Sequence, residues 1–229
     1  MKPENLKFLQ DQLFYTGFGH ELDKKLESAM KKGKEEFSLD AKASYTSLGV
    51  SKPIDFKLNF RKGNDDMFFF NNYDAKLGDK QMRVYVNAGE KNITSKESFN
   101  LLEGRAVYKE LTPKEGEKYN AWMQIKPESI DEGKVKFNIY NDKYGFNPKA
   151  ALKEVAKNGY YASYAMDNAI ADLKKGNLIE IHSADKSEKI FLAANPKERN
   201  FNALSPDGAT IDLSKNNKEI KTEKVGISI

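Results

Sequence analysis

Apolar residues in the first thirty positions recur with the spacing of an amphipathic helix. They form two runs, one of Leu6, Leu9, Leu13 and Phe14 and one of Leu22, Leu26 and Met30. Gly17 and Gly19 separate the runs and favour turn conformations, and Gly33 stands where a helix C-cap belongs. The pattern therefore predicts an N-terminal helical hairpin that ends at Gly33.

The next block alternates between apolar and polar positions, which is typical of β-strands with one buried face. The predicted strands lie around Phe37 and Leu39, at 54–61 (IDFKLNFR), at 67–71 (MFFFN) after a KGND turn, and at 82–86 (MRVYV). Strict alternation over 54–61 places Lys57 and Arg61 on the polar face. These strands predict an antiparallel sheet whose second face is charged.

Three consecutive phenylalanines in this block cannot all face one side of a strand. Phe69 points away from the side shared by Phe68 and Phe70, so either both faces are covered or one aromatic ring is displayed. A displayed ring near Lys57 and Arg61 is typical of sheets that stack nucleic-acid bases. We favour coverage of both faces, because sheets are readily covered by helices and loops.

Helix and strand signals alternate through the rest of the chain. The predicted helices are 95–102, with a capping box at Thr94 and Glu97 and a stop near Gly104; 148–157, started by Asn147-Pro148; and one that carries Met166, Ile170 and Leu173 and ends at Gly176. The predicted strands lie around 105–111, 118–125, 134–140, 178–182, 188–195 and 201–205. From about Ser214 the composition predicts a loose tail. Together these elements predict an α+β fold of mostly antiparallel sheets with packed helices.

The strand at 118–125 places Trp122 out of phase with its apolar neighbours. Those neighbours are Tyr119, Ala121, Met123 and Ile125. Trp122 therefore lies on a second covered face or in an interface, where tryptophan is enriched. In the following strand, Val135, Phe137 and Ile139 share the predicted core face.

The string Lys-Lys-Gly occurs after two helix-like runs, at Gly33 and at Gly176. Aligning the glycines preserves the helical register, but the strands that follow are out of phase by one residue, which reverses the face of every side chain. Lysine in a last helical turn and glycine at the C′ position are common terminators, so independent origin is favoured over duplication. The pattern still allows two similar lobes, each a helix followed by three strands. We expect both glycines to adopt positive φ.

Composition excludes several classes of function. The 38 basic and 34 acidic residues give a net charge of +4, which permits nucleic-acid binding without indicating it. Cysteine is absent, so disulfides, thiolate metal sites and cysteine nucleophiles are excluded. The N-terminus does not resemble a signal peptide, and no apolar run approaches the length of a membrane span. We expect a cytoplasmic protein without membrane contact.

Motifs that carry catalytic chemistry are missing from the sequence. The two histidines, His20 and His182, lack the partners of a metalloprotease helix, and no phosphate-binding loop, dinucleotide fingerprint or nucleophile elbow occurs. No cofactor and no catalytic or metal-binding residue is therefore predicted. The carboxylates Glu97, Glu103, Glu110 and Asp131 remain the candidates for a metal-dependent hydrolase or nuclease.

The segment FNLLEGRAVYKELTPKEGEKYNAWMQI at 99–125, with KYGF at 143–146 and LKKGNLIEI at 173–181, resembles a family of uncharacterised proteins encoded on Bacteroidetes conjugative transposons and related mobile elements. The resemblance spans roughly residues 5–210. It implies no reaction, but it implies a DNA-transfer context. It also implies that Gly104, Arg105, Tyr119, Trp122 and the glycines after Lys-Lys are structural signatures.

These observations give a leading hypothesis and two alternatives. The first is a non-enzymatic binding or accessory protein of a mobile element, with a protein partner favoured over nucleic acid; the others are the metal-dependent hydrolase or nuclease and an inhibitor that sequesters a host defence factor. The candidate contact residues are Lys57, Arg61, Phe69, Arg105, Trp122, Lys174 and Lys175, and the candidate structural glycines are Gly17, Gly19, Gly33, Gly104 and Gly176. The predicted segments are 1–90, 91–144, 145–213 and a tail at 214–229, with one compact unit as the alternative.

Overall fold

A computed structural model describes residues 2–113, 115–130 and 135–213. The α-helices in this part of the chain are α1 (Pro3–Leu13), α2 (Asp23–Lys31), α3 (Ser95–Leu102), α4 (Pro148–Lys157) and α5 (Met166–Lys174). The β-strands are β1 (Glu36–Ser47), β2 (Val50–Lys62), β3 (Phe68–Leu77), β4 (Lys80–Tyr85), β5 (Val107–Leu111), β6 (Tyr119–Ile125), β7 (Phe137–Asn141), β8 (Tyr160–Ala162), β9 (Ile179–Ser183), β10 (Lys189–Asn195), β11 (Asn200–Leu204) and β12 (Thr210–Ile211). The predicted α+β class is confirmed, and the predicted tail lies outside the described residues.

The chain divides into two compact units. Unit 1 comprises Met1–Thr46, Ser51–Gly104 and Gln124–Asn138; unit 2 comprises Ser47–Val50, Arg105–Met123 and Ile139–Ile229. The first sheet has the order β1-β2-β3-β4, the second β12-β11-β10-β9-β8 and the third β5-β6-β7. The first sheet is built from four consecutive strands and the second from five, whereas three were predicted for each lobe.

The core of unit 1 lies on one face of the first sheet. The buried side chains of that face include Ile54, Phe56, Leu58, Phe60, Phe68, Phe70, Tyr73, Met82 and Val84. Helices α1 and α3 pack against β3, and α3 also packs against β4. Phe18, which follows α1, adds an aromatic ring that meets Phe56 and Tyr73 at 5.2 Å between centroids. All apolar positions of the β2 alternation are thus buried by elements on the same side.

Helix α1 is tied to β3 by one buried side chain. The Asn5 amide donates to the Phe68 carbonyl at 2.9 Å, and its oxygen accepts from the Phe68 N–H at 2.8 Å. Phe68 lies outside the part of β3 that pairs with β4. The Asn5 side chain therefore bonds to the backbone N–H and C=O of Phe68 in the way that a neighbouring strand would. This contact fixes where α1 crosses the sheet.

The predicted helix boundaries are confirmed where local chemistry sets them. The reciprocal capping box at Thr94 and Glu97 starts α3, and the Asn147 side chain caps α4 by accepting from the Ala150 N–H. Gly33 and Gly176 follow their helices with φ of 67° and 77°, as expected for left-handed caps. The other candidate structural glycines, Gly17, Gly19 and Gly104, also have positive φ.

The core of unit 2 lies between the second sheet and helices α4 and α5. Its members include Leu152, Val155, Leu173, Ile179, Ile181, Ile190, Leu192 and Trp122. Trp122 is 3% exposed and its ring contacts Tyr108 and Phe146. It therefore lies on a second covered face, the first of the two places predicted for it, and is not exposed in this unit. Ile139, predicted to face the core, is 43% exposed, and the neighbouring Tyr140 packs on the core instead.

Candidate nucleic-acid interface

The open face of the first sheet is the side that α1 and α3 leave uncovered. Residues directly opposite each other in antiparallel strands share a face, so the pairing defines this surface. Four cross-strand rows compose it: Arg61 with Phe69; Asn59 with Asn72 and Tyr85; Lys57 with Asp74 and Arg83; and Asp55 with Lys76 and Gln81. The rows bring together the three candidates that sequence reasoning placed in this block.

A β-bulge in β3 creates this arrangement. Asn59 pairs with Asn72, whereas Phe60 pairs with Phe70, so Asn71 is an extra residue in β3. Without that insertion, Phe70 and Tyr73 would point to opposite faces; with it, both are buried. The bulge thus lets a single strand keep Phe70 and Tyr73 in the core while Phe69 and Asn72 face outwards.

Phe69 is displayed on the open face. It is 49% exposed, whereas Phe68 and Phe70 are 1% and 3% exposed. Its ring lies over Gly63, where a β-carbon would come within 2.6 Å of the ring, so glycine leaves the space that the ring occupies. Our favoured prediction that both faces are covered is therefore wrong for Phe69, because helices α1 and α3 lie on the side of its neighbours.

Tyr85 adds a second exposed aromatic ring to the same face. It is 69% exposed between the buried Val84 and Val86. It lies opposite Asn72, three residues along β3 from Phe69, or roughly 10 Å at the rise of a strand. The face therefore presents two separated aromatic platforms. Tyr85 was not among the residues predicted from the sequence, although the alternation of residues 82–86 places it and Arg83 on the polar side.

The centre of the open face carries a hydrogen-bonded network. Arg83 donates to both carboxylate oxygens of Asp74, at 2.6 and 3.0 Å, and Asn59 donates to Asp74 at 3.2 Å and to Asn72 at 2.9 Å. Partial burial alone would raise the pKa of the Asp74 carboxyl, but the hydrogen bonds and charge of Arg83, with the bond from Asn59, lower it. Asp74 is therefore held as a carboxylate that fixes Arg83 and Asn59 in place.

Two cations at the same face are less engaged. Arg61 approaches Glu36 only to 3.7 Å, and both side chains are well exposed. Lys57 lies opposite Asp74 and takes part in no ion pair among the described residues. An exposed ion pair such as Arg61–Glu36 contributes little free energy, so Arg61, like Lys57, remains accessible to an anion.

A polar groove runs through this surface. Its volume is about 390 Å³. The lining residues are Glu36, Phe37, Ser38, Lys57, Asn59, Phe60, Arg61, Asn71, Asn72, Asp74 and Arg83. Guanidinium and ammonium groups beside side-chain amides provide donors for phosphate and for base edges, and the exposed rings provide stacking surfaces. The arrangement can bind anionic groups and flat rings.

The remaining candidate contacts belong to unit 2. Arg105 is partly buried and donates to the Ser47 hydroxyl at 3.0 Å, which is a structural role. Lys174 lies over the Tyr108 ring at 4.7 Å, and Lys175 follows it at the end of α5. Both lysines are exposed. Tyr108 donates a hydrogen bond to the Asp142 carboxylate. Burial, together with this bond and the charge of the carboxylate, raises the pKa of Tyr108 to about 12.

The candidate metal ligands are engaged in separate local contacts. Glu97 belongs to the capping box of α3, Glu103 pairs with Lys52 at 3.1 Å, and Glu110 pairs with Lys118 at 3.5 Å. Asp131 lies outside the described residues. The described part of the chain contains no group of three or more His, Asp or Glu side chains arranged to hold a metal ion.

Each histidine has one acidic neighbour. The His20 ring bonds to Asp23 at 3.0 Å and stacks on Phe14, and the His182 ring bonds to Glu180 at 2.8 Å. His20 stands just before α2, and Asp23 is the first residue of that helix, whereas His182 and Glu180 share a face of β9. These are local pairs at a helix start and on a strand.

Comparison of the chain with known protein families, with curated proteins and with solved structures finds no significant match. No helix in the described ranges is both long and apolar enough to cross a membrane.

Proposed function

We propose that this chain is a non-enzymatic binding protein that holds single-stranded nucleic acid on the open face of its first sheet. The observation that carries the proposal is the display of Phe69 directly opposite Arg61. An aromatic ring beside a guanidinium group offers stacking for a base and a charge for the adjoining phosphate. Tyr85 supplies a second ring on the same face.

The proposal specifies single-stranded nucleic acid because its bases are free to stack on aromatic side chains. Base–aromatic stacking contributes about 1–3 kcal/mol for each base and tolerates any sequence. A duplex hides its bases, so it could use only the few cations of this face. We therefore expect preference for single strands with little sequence selectivity.

Removal of the two rings tests the proposal. We expect the double variant Phe69→Ala, Tyr85→Ala to bind a single-stranded oligonucleotide about tenfold more weakly or worse, because each substitution removes one ring on which a base stacks. Fluorescence anisotropy with labelled oligothymidine measures the change. Tyr161→Ala in unit 2 is the matched control, since Tyr161 is a comparably exposed aromatic residue at 53%. Equal affinities for wild type and the double variant would remove the proposal.

The biological setting is part of the proposal. The resemblance to proteins of conjugative transposons supports a cytoplasmic accessory role in DNA transfer, where single strands are exposed.

A protein partner is the second candidate, and a separate observation favours it. Phe14 and Tyr15 are 49% and 77% exposed on the π-helical turn at Phe14–Phe18. Exposed aromatic residues of this kind are enriched at protein interfaces, and sequestration of a host defence factor would use such a surface. We expect Tyr15→Ala to abolish retention of a host protein in affinity capture while it leaves oligonucleotide binding unchanged. Capture that is indifferent to Tyr15 would exclude this surface.

A further inference from the structure

A second groove in unit 1 lies between helix α2 and the start of β1. Its volume is about 470 Å³. Four lysines line it, Lys24, Lys25, Lys32 and Lys34, together with Ser28, Ala29, Phe37, Ser38 and Leu39. We call it the lysine groove. Its lining combines basic side chains with small and apolar ones.

The helical pattern of α2 explains this composition. Leu22, Leu26 and Met30 are buried on one face, whereas Lys24, Ser28 and Lys32 follow each other at i, i+4 and i+8 on an adjacent stripe. The small side chains of Ser28 and Ala29 leave a depression between the lysines. Gly33, with φ of 67°, then ends the helix so that the chain returns along the groove through Lys34.

The charge of the lysine groove is not neutralised from within. None of its four lysines takes part in an ion pair among the described residues, whereas the neighbouring Lys31 pairs with Glu27 at 2.6 Å. No carboxylate occurs in its lining. Four like charges around one groove repel each other and attract an anion that carries several charges along its length.

The lysine groove and the groove of the open face meet at β1. Phe37 and Ser38 line both of them, and β1 is the edge strand of its sheet. The open face offers two exposed rings but only Lys57 and Arg61 as available cations, because Asp74 occupies Arg83. The lysine groove has the opposite composition. The two surfaces therefore complement each other as binding sites for one extended polyanion.

We infer that the lysine groove holds the phosphodiester backbone of the strand whose bases stack on Phe69 and Tyr85, so that the nucleic acid crosses the β1 edge. This inference rests on the proposed function and extends it to a longer ligand. A short oligonucleotide occupies the open face alone, and a longer one also reaches the lysines.

The test compares two oligothymidines, of about 5 and about 16 nucleotides, within the range of site sizes of single-strand-binding folds. The variant is Lys24→Gln, Lys25→Gln, Lys32→Gln and Lys34→Gln combined. The control replaces four exposed lysines of unit 2, Lys143, Lys149, Lys153 and Lys157, with glutamine. Both variants lose the same net charge, and circular dichroism verifies that each is folded.

We expect the groove variant to bind the long oligonucleotide more weakly and with a salt dependence whose logarithmic slope is smaller by about 3, since each phosphate contact contributes about 0.7 for a single strand. The short oligonucleotide should bind the groove variant and wild type equally, and the control should leave both unchanged. Equal slopes for wild type and groove variant with the long ligand would overturn the inference.

Failure of the inference is distinguishable from failure of the proposed function. If the short oligonucleotide binds and depends on Phe69 while the groove variant binds the long ligand normally, the open face is a binding surface and the lysine groove is not part of it. If neither oligonucleotide binds wild type, both proposals fall. Polyglutamate that competes as effectively as an oligonucleotide of equal charge would also overturn the inference and indicate an acidic protein segment.

Discussion

Gly17 allows the turn after α1 to approach the start of α3 closely, because it has no β-carbon. It has φ of 87°, and its carbonyl accepts a hydrogen bond from the Ser95 hydroxyl at 2.8 Å. Ser95 is 1% exposed and also bonds the Tyr45 hydroxyl at 2.7 Å. A β-carbon on Gly17 would lie 2.7 Å from the Ser95 hydroxyl oxygen, which is shorter than a van der Waals contact. The turn after α1 thus requires glycine for conformation and for space.

We expect Gly17→Ala to lower the free energy of unfolding by about 2–4 kcal/mol, because left-handed strain adds to the loss of buried hydrogen bonds at Ser95. Gly33→Ala is the matched control. Gly33 also has positive φ, but a β-carbon on it would meet nothing within 4 Å, so only about 1 kcal/mol of conformational cost applies. Urea unfolding followed by far-UV circular dichroism measures both. Equal losses in the two variants would show that the approach to Ser95 is unimportant.

At the scale of elements, local signals predicted most of the secondary structure. The capping box before α3, the Asn-Pro start of α4 and the alternation of β2 specify their elements through neighbours in sequence. The bulge at Asn71 and the strand-like pairing of Asn5 with Phe68 could not be predicted, since each depends on a partner brought near only by the fold. Those two features decide which side of β3 faces α1 and which side stays open.

Some residues of the candidate site could likewise be predicted from local sequence, whereas others depend on the fold. Alternation sufficed to place Lys57, Arg61 and Phe69 on a common face, and it would also have placed Tyr85. Whether that face is open depends on where the helices pack, which no local pattern encodes. The lysine groove could not be predicted from local pattern, because Lys24 lies in α2 whereas Lys34 follows the turn at Gly33, and only that turn brings the two to one groove.

At the scale of the whole molecule, carboxylates with lowered pKa values link stability to pH. Asp74 in unit 1 and Glu180 in unit 2 each have partly shielded side chains. For Glu180, the hydrogen bond from Lys189 is the main cause of the lowered pKa, with a further contribution from His182. A carboxyl whose pKa is lower in the folded state stabilises that state above its unfolded pKa, and this stabilisation is lost as the pH falls through the folded value. The stabilisation from both groups is therefore present at neutral pH and is lost only in acid, as the pH falls below the ordinary carboxyl range near pH ~4.

We expect the free energy of unfolding to change little on account of these groups between about pH 7 and pH 5 and to fall below about pH 4. Asp74→Asn should be less stable than wild type by about 1 kcal/mol at neutral pH, because the charged hydrogen bonds to the half-exposed Arg83 are lost. That difference should shrink in acid, as the wild-type carboxyl takes up a proton. Asp55→Asn is the control on the same face, since Asp55 is 60% exposed and pairs with the exposed Lys42. Urea unfolding at neutral pH and in acid measures each variant, and a difference for Asp74→Asn that is the same under both conditions would contradict the assignment of this stability to the ionised carboxylate.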